Sequence, residues 1–183
     1  MNQIVRMNRG KLLFFSILIC LAGSSRVALS QAGMQATATG QIFAEVISVW
    51  TAEETAPLNF GKFAPGPSGG EIIISPESTL SLLGSVYKGT GAHSAGRFYV
   101  TGEEDAAFSV SLPEGPVPIT HVSSARTMVV DNWQSVPEQG NATGVMQGGA
   151  QIVYVGATLK MGNLQDNPPG IYTGSYTITF DFN

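Results

Sequence analysis

Few residues of this chain have the types that do chemistry. They are two histidines, two short carboxylate runs, one serine beside a histidine and a scatter of aromatics. His93 lies in Gly89-Thr90-Gly91-Ala92-His93-Ser94-Ala95-Gly96, and His121 ends the run VPITHV. A metal centre needs several His, Cys or carboxylate ligands at set spacings, and neither histidine has such company. Ser94 follows His93 directly, but neighbours in sequence point apart. A hydrolase instead needs a nucleophile on a sharp turn with a separately positioned base. Glu103-Glu104-Asp105 is rich in oxygen but lacks the alternating order of a calcium loop, so it reads as a solvated turn. Glu53-Glu54 reads as a solvated loop. No two carboxylates are marked as facing one cleft, as glycoside hydrolysis requires. Asn141-Ala142-Thr143 matches a glycosylation sequon and reads as a polar turn. Trp50, Trp133, Tyr87 and Tyr99 are candidates for a sugar-stacking platform, but alternating aromatics on strands read first as core. Gly148-Gly149 precedes a strand instead of opening a helix after one, which is not the order of a phosphate loop. The expectation is a protein with no catalytic residue, no cofactor and no metal: not an enzyme.

The elements that would carry these residues begin after a distinct leader. Arg6, Arg9 and Lys11 form a basic start, LLFFSILICLA (12–22) an apolar stretch, and SSRVALSQA a run with small residues suited to a peptidase. This pattern is that of a signal peptide, expected over residues 1–30. Its apolar run is shorter than the roughly 20 residues needed to cross a bilayer. The chain has a net charge of −4. Loss of 1–30 removes four basic residues and no acidic ones, which leaves five basic against thirteen acidic residues, a net charge of −8. Such a surface repels nucleic acid and anionic lipid, so neither is expected as a partner, and no membrane span is expected in the mature chain. Cys20, the sole cysteine, falls in the leader. Disulfides are therefore excluded from the expected mature domain, residues 31–183, although an exported location would permit them. Its stability must come from an apolar core, and about 150 residues bury roughly 70% of their unfolded surface.

The composition is that of a β protein: 22 glycines, 10 prolines and 12% charged residues. Short apolar-alternating runs predict strands at 37–49, 58–63, 71–75, 80–87, 96–102, 106–113, 117–122, 126–133, 150–161 and 171–182. Turn residues separate them. Pro65-Gly66-Pro67-Ser68-Gly69-Gly70 reads as a loop, Glu103-Glu104-Asp105 as a hairpin tip, and Asp166-Asn167-Pro168-Pro169-Gly170 as the last connection. Short strands at this spacing predict one all-β antiparallel sandwich.

Two stretches stand out. In GIYTGSYTITFDFN, Tyr172, Gly174, Tyr176, Ile178, Phe180 and Phe182 alternate with Thr173, Ser175, Thr177, Thr179 and Asp181. Period two marks a strand with one buried face. Near the other end, Ala36, Ala38, Gly40, Ile42, Ala44 and Val46 make a face that is small first and apolar later. That stretch is either the domain's own first strand, paired with the terminal one, or a segment offered to another molecule.

Several motifs carry a resemblance. They are Leu58-Asn59-Phe60-Gly61, Gly70-Glu71-Ile72-Ile73-Ile74-Ser75-Pro76, Phe98-Tyr99-Val100-Thr101-Gly102, Tyr154-Val155-Gly156-Ala157-Thr158-Leu159 and Pro169-Gly170-Ile171-Tyr172-Thr173-Gly174. Together they resemble a bacterial family of exported domains, domain of unknown function 4402, over most of residues 36–183. Ala157 stands where that family is glycine-rich. The ending also resembles pilus subunits of the chaperone–usher route, with Phe182 penultimate and Gly170 fourteenth from Asn183. That resemblance implies an immunoglobulin-like, pilin-like sandwich that lacks a strand. It also implies strand donation from like subunits, a periplasmic chaperone and usher as partners, and a place in a fimbrium on the cell surface. The face from Ala36 to Val46 would be the donor, and the stretch from Gly170 to Phe182 would border the acceptor groove. The alternative is a self-contained secreted sandwich that binds a surface protein or a glycan.

Overall fold

A computed structural model describes residues 36–47 and 49–182. The expected signal peptide lies outside the described residues. The chain divides into two units, Met1–Ala44 and Glu45–Asn183. Of the first, residues 36–44 are described; they carry no helix or strand and lie exposed.

The second unit is all-β and antiparallel. Its strands are β1 (Thr51–Ala56), β2 (Phe63–Ile74), β3 (Leu80–Lys88), β4 (Gly96–Thr101), β5 (Ala107–Ser111), β6 (Val117–His121), β7 (Thr127–Val136), β8 (Gly140–Val145), β9 (Ala150–Met161), β10 (Tyr172–Thr173) and β11 (Thr179–Phe182). Eight of them form one sheet in the order β1-β4-β9-β7-β6-β10, with β2 on β9 and β3 on β2; the other three form a smaller sheet, β11-β5-β8. β9 is the spine of the large sheet. One edge pairs with β4 through Ala150–Val155 and then with β2 through Ala157–Met161, while the other edge pairs with β7. Val153, Val155, Ala157, Thr158 and Leu159 of β9 are all buried, while Tyr154 is exposed on the outer face.

The core lies between the sheets. Ile72, Val100, Met128, Val130, Val153, Val155 and Leu159 supply the inner face of the large sheet, and Phe108 and Val110 that of the small one. Phe108 is completely buried, and a Cβ on Gly144 of the neighbouring β8 would stand 2.2 Å from its ring. The β8–β9 connection is a two-residue turn. Gln147 and Ala150 face each other across Gly148 (φ 62°) and Gly149 (φ 79°). Positive φ at both central residues is the turn whose twist matches that of the strands, and glycine adopts it without cost.

Several sequence expectations need correction. The described part of 37–49 forms no strand. Of 58–63 only Phe63 belongs to a strand, although Asn59 bridges to Ser94. Pro65–Gly70 is not a free loop but a bulge inside β2. Two prolines cannot donate to a ladder, so the register with β3 slips between Pro65 and Gly70. Before the bulge β2 pairs with β3 alone, and after it with β9 as well. β1 (TAEETA) and β8 (GNATGV) carry almost no apolar pattern and were invisible to periodicity. Glu53 and Glu54 therefore sit on an edge strand, and Asn141-Ala142-Thr143 lies in β8.

Gly144→Ala is expected to lower stability by about 1–3 kcal/mol through overpacking against Phe108. Gly115→Ala, with open space around its Cβ site, should stay within about 0.5 kcal/mol of the parent. Urea unfolding of both variants checks this; equal midpoints would show that the Phe108 ring can move aside.

Candidate functional site

The terminal stretch is two short strands with a gap. Tyr172 and Thr173 pair with His121 and Thr120 of β6 in the large sheet, while Thr179–Phe182 pair with Ser111–Phe108 of β5 in the small one. Residues 174–178 cross from one sheet to the other and join neither ladder. The alternation survives the crossing: Tyr172, Tyr176, Ile178, Phe180 and Phe182 are half-buried, and Thr173, Ser175, Thr177, Thr179 and Asp181 are exposed. Gly174 is exposed too, although a Cβ there would come within 2.8 Å of the Pro118 carbonyl oxygen. At Gly170 a Cβ would stand 1.9 Å from His121 Nε2.

The inward face is an aromatic ladder. Phe182 stacks on Trp50 at 4.1 Å between ring centres and meets Phe108 at 6.0 Å. Phe180 lies 6.1 Å from both Phe98 and Phe108, so a single ring touches both sheets. Tyr176 packs on Trp133 at 4.7 Å and edge-on to Phe98. Its hydroxyl is buried, without a hydrogen-bond partner among the described residues, and Gly96 leaves it room: a Cβ there would be 2.4 Å away. Burial, with a smaller push from the Glu54 carboxylate, holds the Tyr176 phenol well above the usual tyrosine range.

A cleft of about 780 Å³ has Val117, Ile119, Met128, Val130, Trp133 and Leu159 on its floor. One wall is Pro57–Pro65, which includes the end of β2 that the bulge has turned away from β9. The other is Leu164 with Asn167–Tyr176. That second wall is braced. Asn167 Nδ2 donates to the Thr127 carbonyl at 2.8 Å, its Oδ1 accepts from Gly162 N at 2.6 Å, and the Tyr172 hydroxyl donates to the Pro168 carbonyl at 2.9 Å. The lining is apolar apart from a few groups, and its charged members are Glu54 and Lys62.

The residues with chemical potential have structural tasks. His121 Nδ1 accepts the Ser123 N–H at 3.1 Å, its Nε2 lies 3.2 Å from the Pro169 carbonyl, and its ring meets Tyr172 edge-on. Ser94 Oγ donates to the Pro57 carbonyl. Glu103–Asp105 forms the exposed turn between β4 and β5. Among the described residues no three metal-ligating side chains gather. The four aromatics considered as a platform separate: Trp133 is buried and Trp50 half-buried, while Tyr87 and Tyr99 point outward. The face from Ala36 to Val46 is brought to no strand. Its large members Ile42 and Val46 are each 96% exposed. Sequence reasoning missed the Pro57–Pro65 wall, whose Leu58, Phe60 and Phe63 resembled an ordinary strand face.

Two predictions follow from this packing. Phe180→Asp places a charge between the sheets and should abolish recovery of soluble protein; normal yield and melting temperature would refute the burial of that ring. Tyr176→Phe removes a buried hydroxyl that has no partner, and is expected to be as stable as the parent or more so at pH 7. The raised phenol pKa stabilises the fold fully below about pH 10, the ordinary tyrosine value. As pH rises beyond that, the unfolded chain releases its proton while the folded one keeps it, so stability falls. The phenylalanine variant should lose less between pH 7 and 11. Urea titrations at both values test this, and a clear loss at pH 7 would mean that the hydroxyl has a partner.

No curated protein and no solved structure matches the chain. The model of the family described as Domain of unknown function (DUF4402) matches residues 50–182, from Trp50 to Phe182. That span holds β1 through β11, the aromatic ladder and the whole lining of the cleft. This chain belongs to the DUF4402 family.

Proposed function

We propose that this chain is a non-enzymatic, exported assembly subunit of a pilus- or fimbria-like surface structure, and that its copies join by strand donation. The donor is the stretch around Ala36–Val46 of one copy, and the acceptor is the cleft of the next. The observation that carries this reading is the apolar cleft. Half-buried Val117 and Ile119 and buried Met128, Val130 and Leu159 line a space of about 780 Å³. Residues 174–176 run along its wall with no ladder partners. An extended segment with a small and apolar face supplies both missing elements, backbone bonds and side-chain filling. Before transfer, a periplasmic chaperone would cover the same cleft, with an usher ordering assembly.

The chain enters the domain at Trp50. Trp50 is held on Phe182 and against Gly102 at the Thr101 end of β4. The cleft lies toward the other end of β1, around Glu54 and Pro57. Six strand residues separate the two, about 20 Å at the usual rise.

A second reading is supported by a different surface. On the outer face of the large sheet, Tyr99 is 43% and Tyr154 37% exposed, and Arg97 pairs opposite Tyr154. Such a face suits a monomeric sandwich that binds a surface protein or a glycan.

Light scattering on a sizing column, applied to residues 31–183 and to a variant lacking 31–49, separates the two. Strand donation predicts a ladder of oligomers that survives detergent without boiling and disappears with the deletion. A single monomer peak for both proteins would reject it and favour the second reading.

A further inference from the structure

We infer that donation has one direction, and that it is set by Glu45 of the donor lying against Lys62 of the acceptor. This rests on the strand-donation reading above and adds to it the polarity of the contact. The segment 36–47 carries a single charged residue, Glu45. The cleft lining carries one cation, Lys62, and one anion, Glu54. Glu54 lies on β1 opposite Phe98. Lys62 lies eight residues further on, past the Asn59–Ser94 bridge, where its carbonyl accepts the Gly89 N–H at 2.8 Å. The two charges therefore stand on different segments of the lining. An extended segment can enter such a cleft in either sense, since backbone bonds can be made in both. A lone carboxylate removes the degeneracy: one sense brings it to an ammonium, the other toward a like charge.

The faces agree with this assignment. With Ala36, Ala38, Gly40, Ile42, Ala44 and Val46 turned to the floor, the odd-numbered residues turn outward, because strand side chains alternate. Glu45 is then on the outer face, at the level of the rim. Lys62 is itself exposed on the rim and has no ion-pair partner among the described residues; Lys160, by contrast, is paired with Asp131 at 2.9 Å. The ion pair therefore forms without burial of either charge, and it contributes direction more than affinity.

Cysteine cross-linking tests the placement directly, since no cysteine follows Cys20. Glu45→Cys protein is mixed with Lys62→Cys protein, and separately with Glu54→Cys protein, under mild oxidation. The expected result is a disulfide-linked dimer from the first mixture at several-fold the yield of the second. Equal yields, a preference for position 54, or no cross-link at either position overturns the inference. Charge exchange gives an independent reading. Glu45→Lys and Lys62→Glu should each weaken assembly by about two- to fivefold at low salt, the range of an exposed pair, and the double variant should recover it. A double variant no better than the worse single one also overturns the pair. If the unmodified chain stays monomeric, the strand-donation reading fails and this inference with it. If it forms deletion-sensitive oligomers but the cross-links show no preference, only the direction is wrong.

Discussion

The structure depends on burying one face of a terminal segment that spans two sheets. Tyr172 is anchored on β6 of the large sheet and Phe182 on β5 of the small one. Between them Phe180 touches Phe98 and Phe108, one from each sheet. At roughly 1.5–3 kcal/mol for each large apolar side chain fully buried, this half-buried set still contributes several kcal/mol. Register is fixed by the same face. A slip of one residue would turn the aromatic side chains outward and the threonines inward.

That constraint also creates the cleft. Five residues are spent on the crossing, and while they cross they extend neither ladder. The small sheet has three strands against eight, so it cannot cover the inner face of the large one as far as β6 and β7. The walls are what the sequence offers instead: a β2 bent away by its proline bulge and a loop pinned by Asn167. A core assembled in this way is closed around Phe108 and leaves a cleft beside the half-buried Val117 and Ile119. Opening at one place and closure at the other come from one chain path.

Much of this was legible in the residues, and the failures have physical causes. β9 was read at its observed limits because its residues from Ile152 to Leu159 are almost continuously apolar. The alternation of 172–182 correctly gave the inward and outward faces. It did not show that the backbone changes sheets midway, because side-chain period is blind to which strand takes the hydrogen bonds. β1 and β8 escaped for the opposite reason. Their residues are small or charged, and they are strands because β4 and β5 offer them an edge. The face from Ala36 to Val46 was visible as a pattern, but a pattern cannot say whether its partner lies in the same molecule. The cleft was not legible, since it is formed by residues from six separate stretches whose meeting is a matter of topology.

Charge bears on how such a domain would meet its own copies. Beyond residue 35 the chain carries five cations, namely Lys62, Lys88, Arg97, Arg126 and Lys160, against thirteen carboxylates. Two copies therefore repel at long range, and more strongly at low salt. A contact through broad polar surfaces would work against that repulsion over its whole area. A contact through a narrow segment with one charge among twelve residues, 36–47, works against little of it and gains apolar burial along its length. If copies join by strand donation as proposed, the sparse charge of the 36–47 segment and the acidity of the domain have one explanation: long-range repulsion discourages non-specific association, and a single carboxylate and a single ammonium would suffice to choose the sense of the strand.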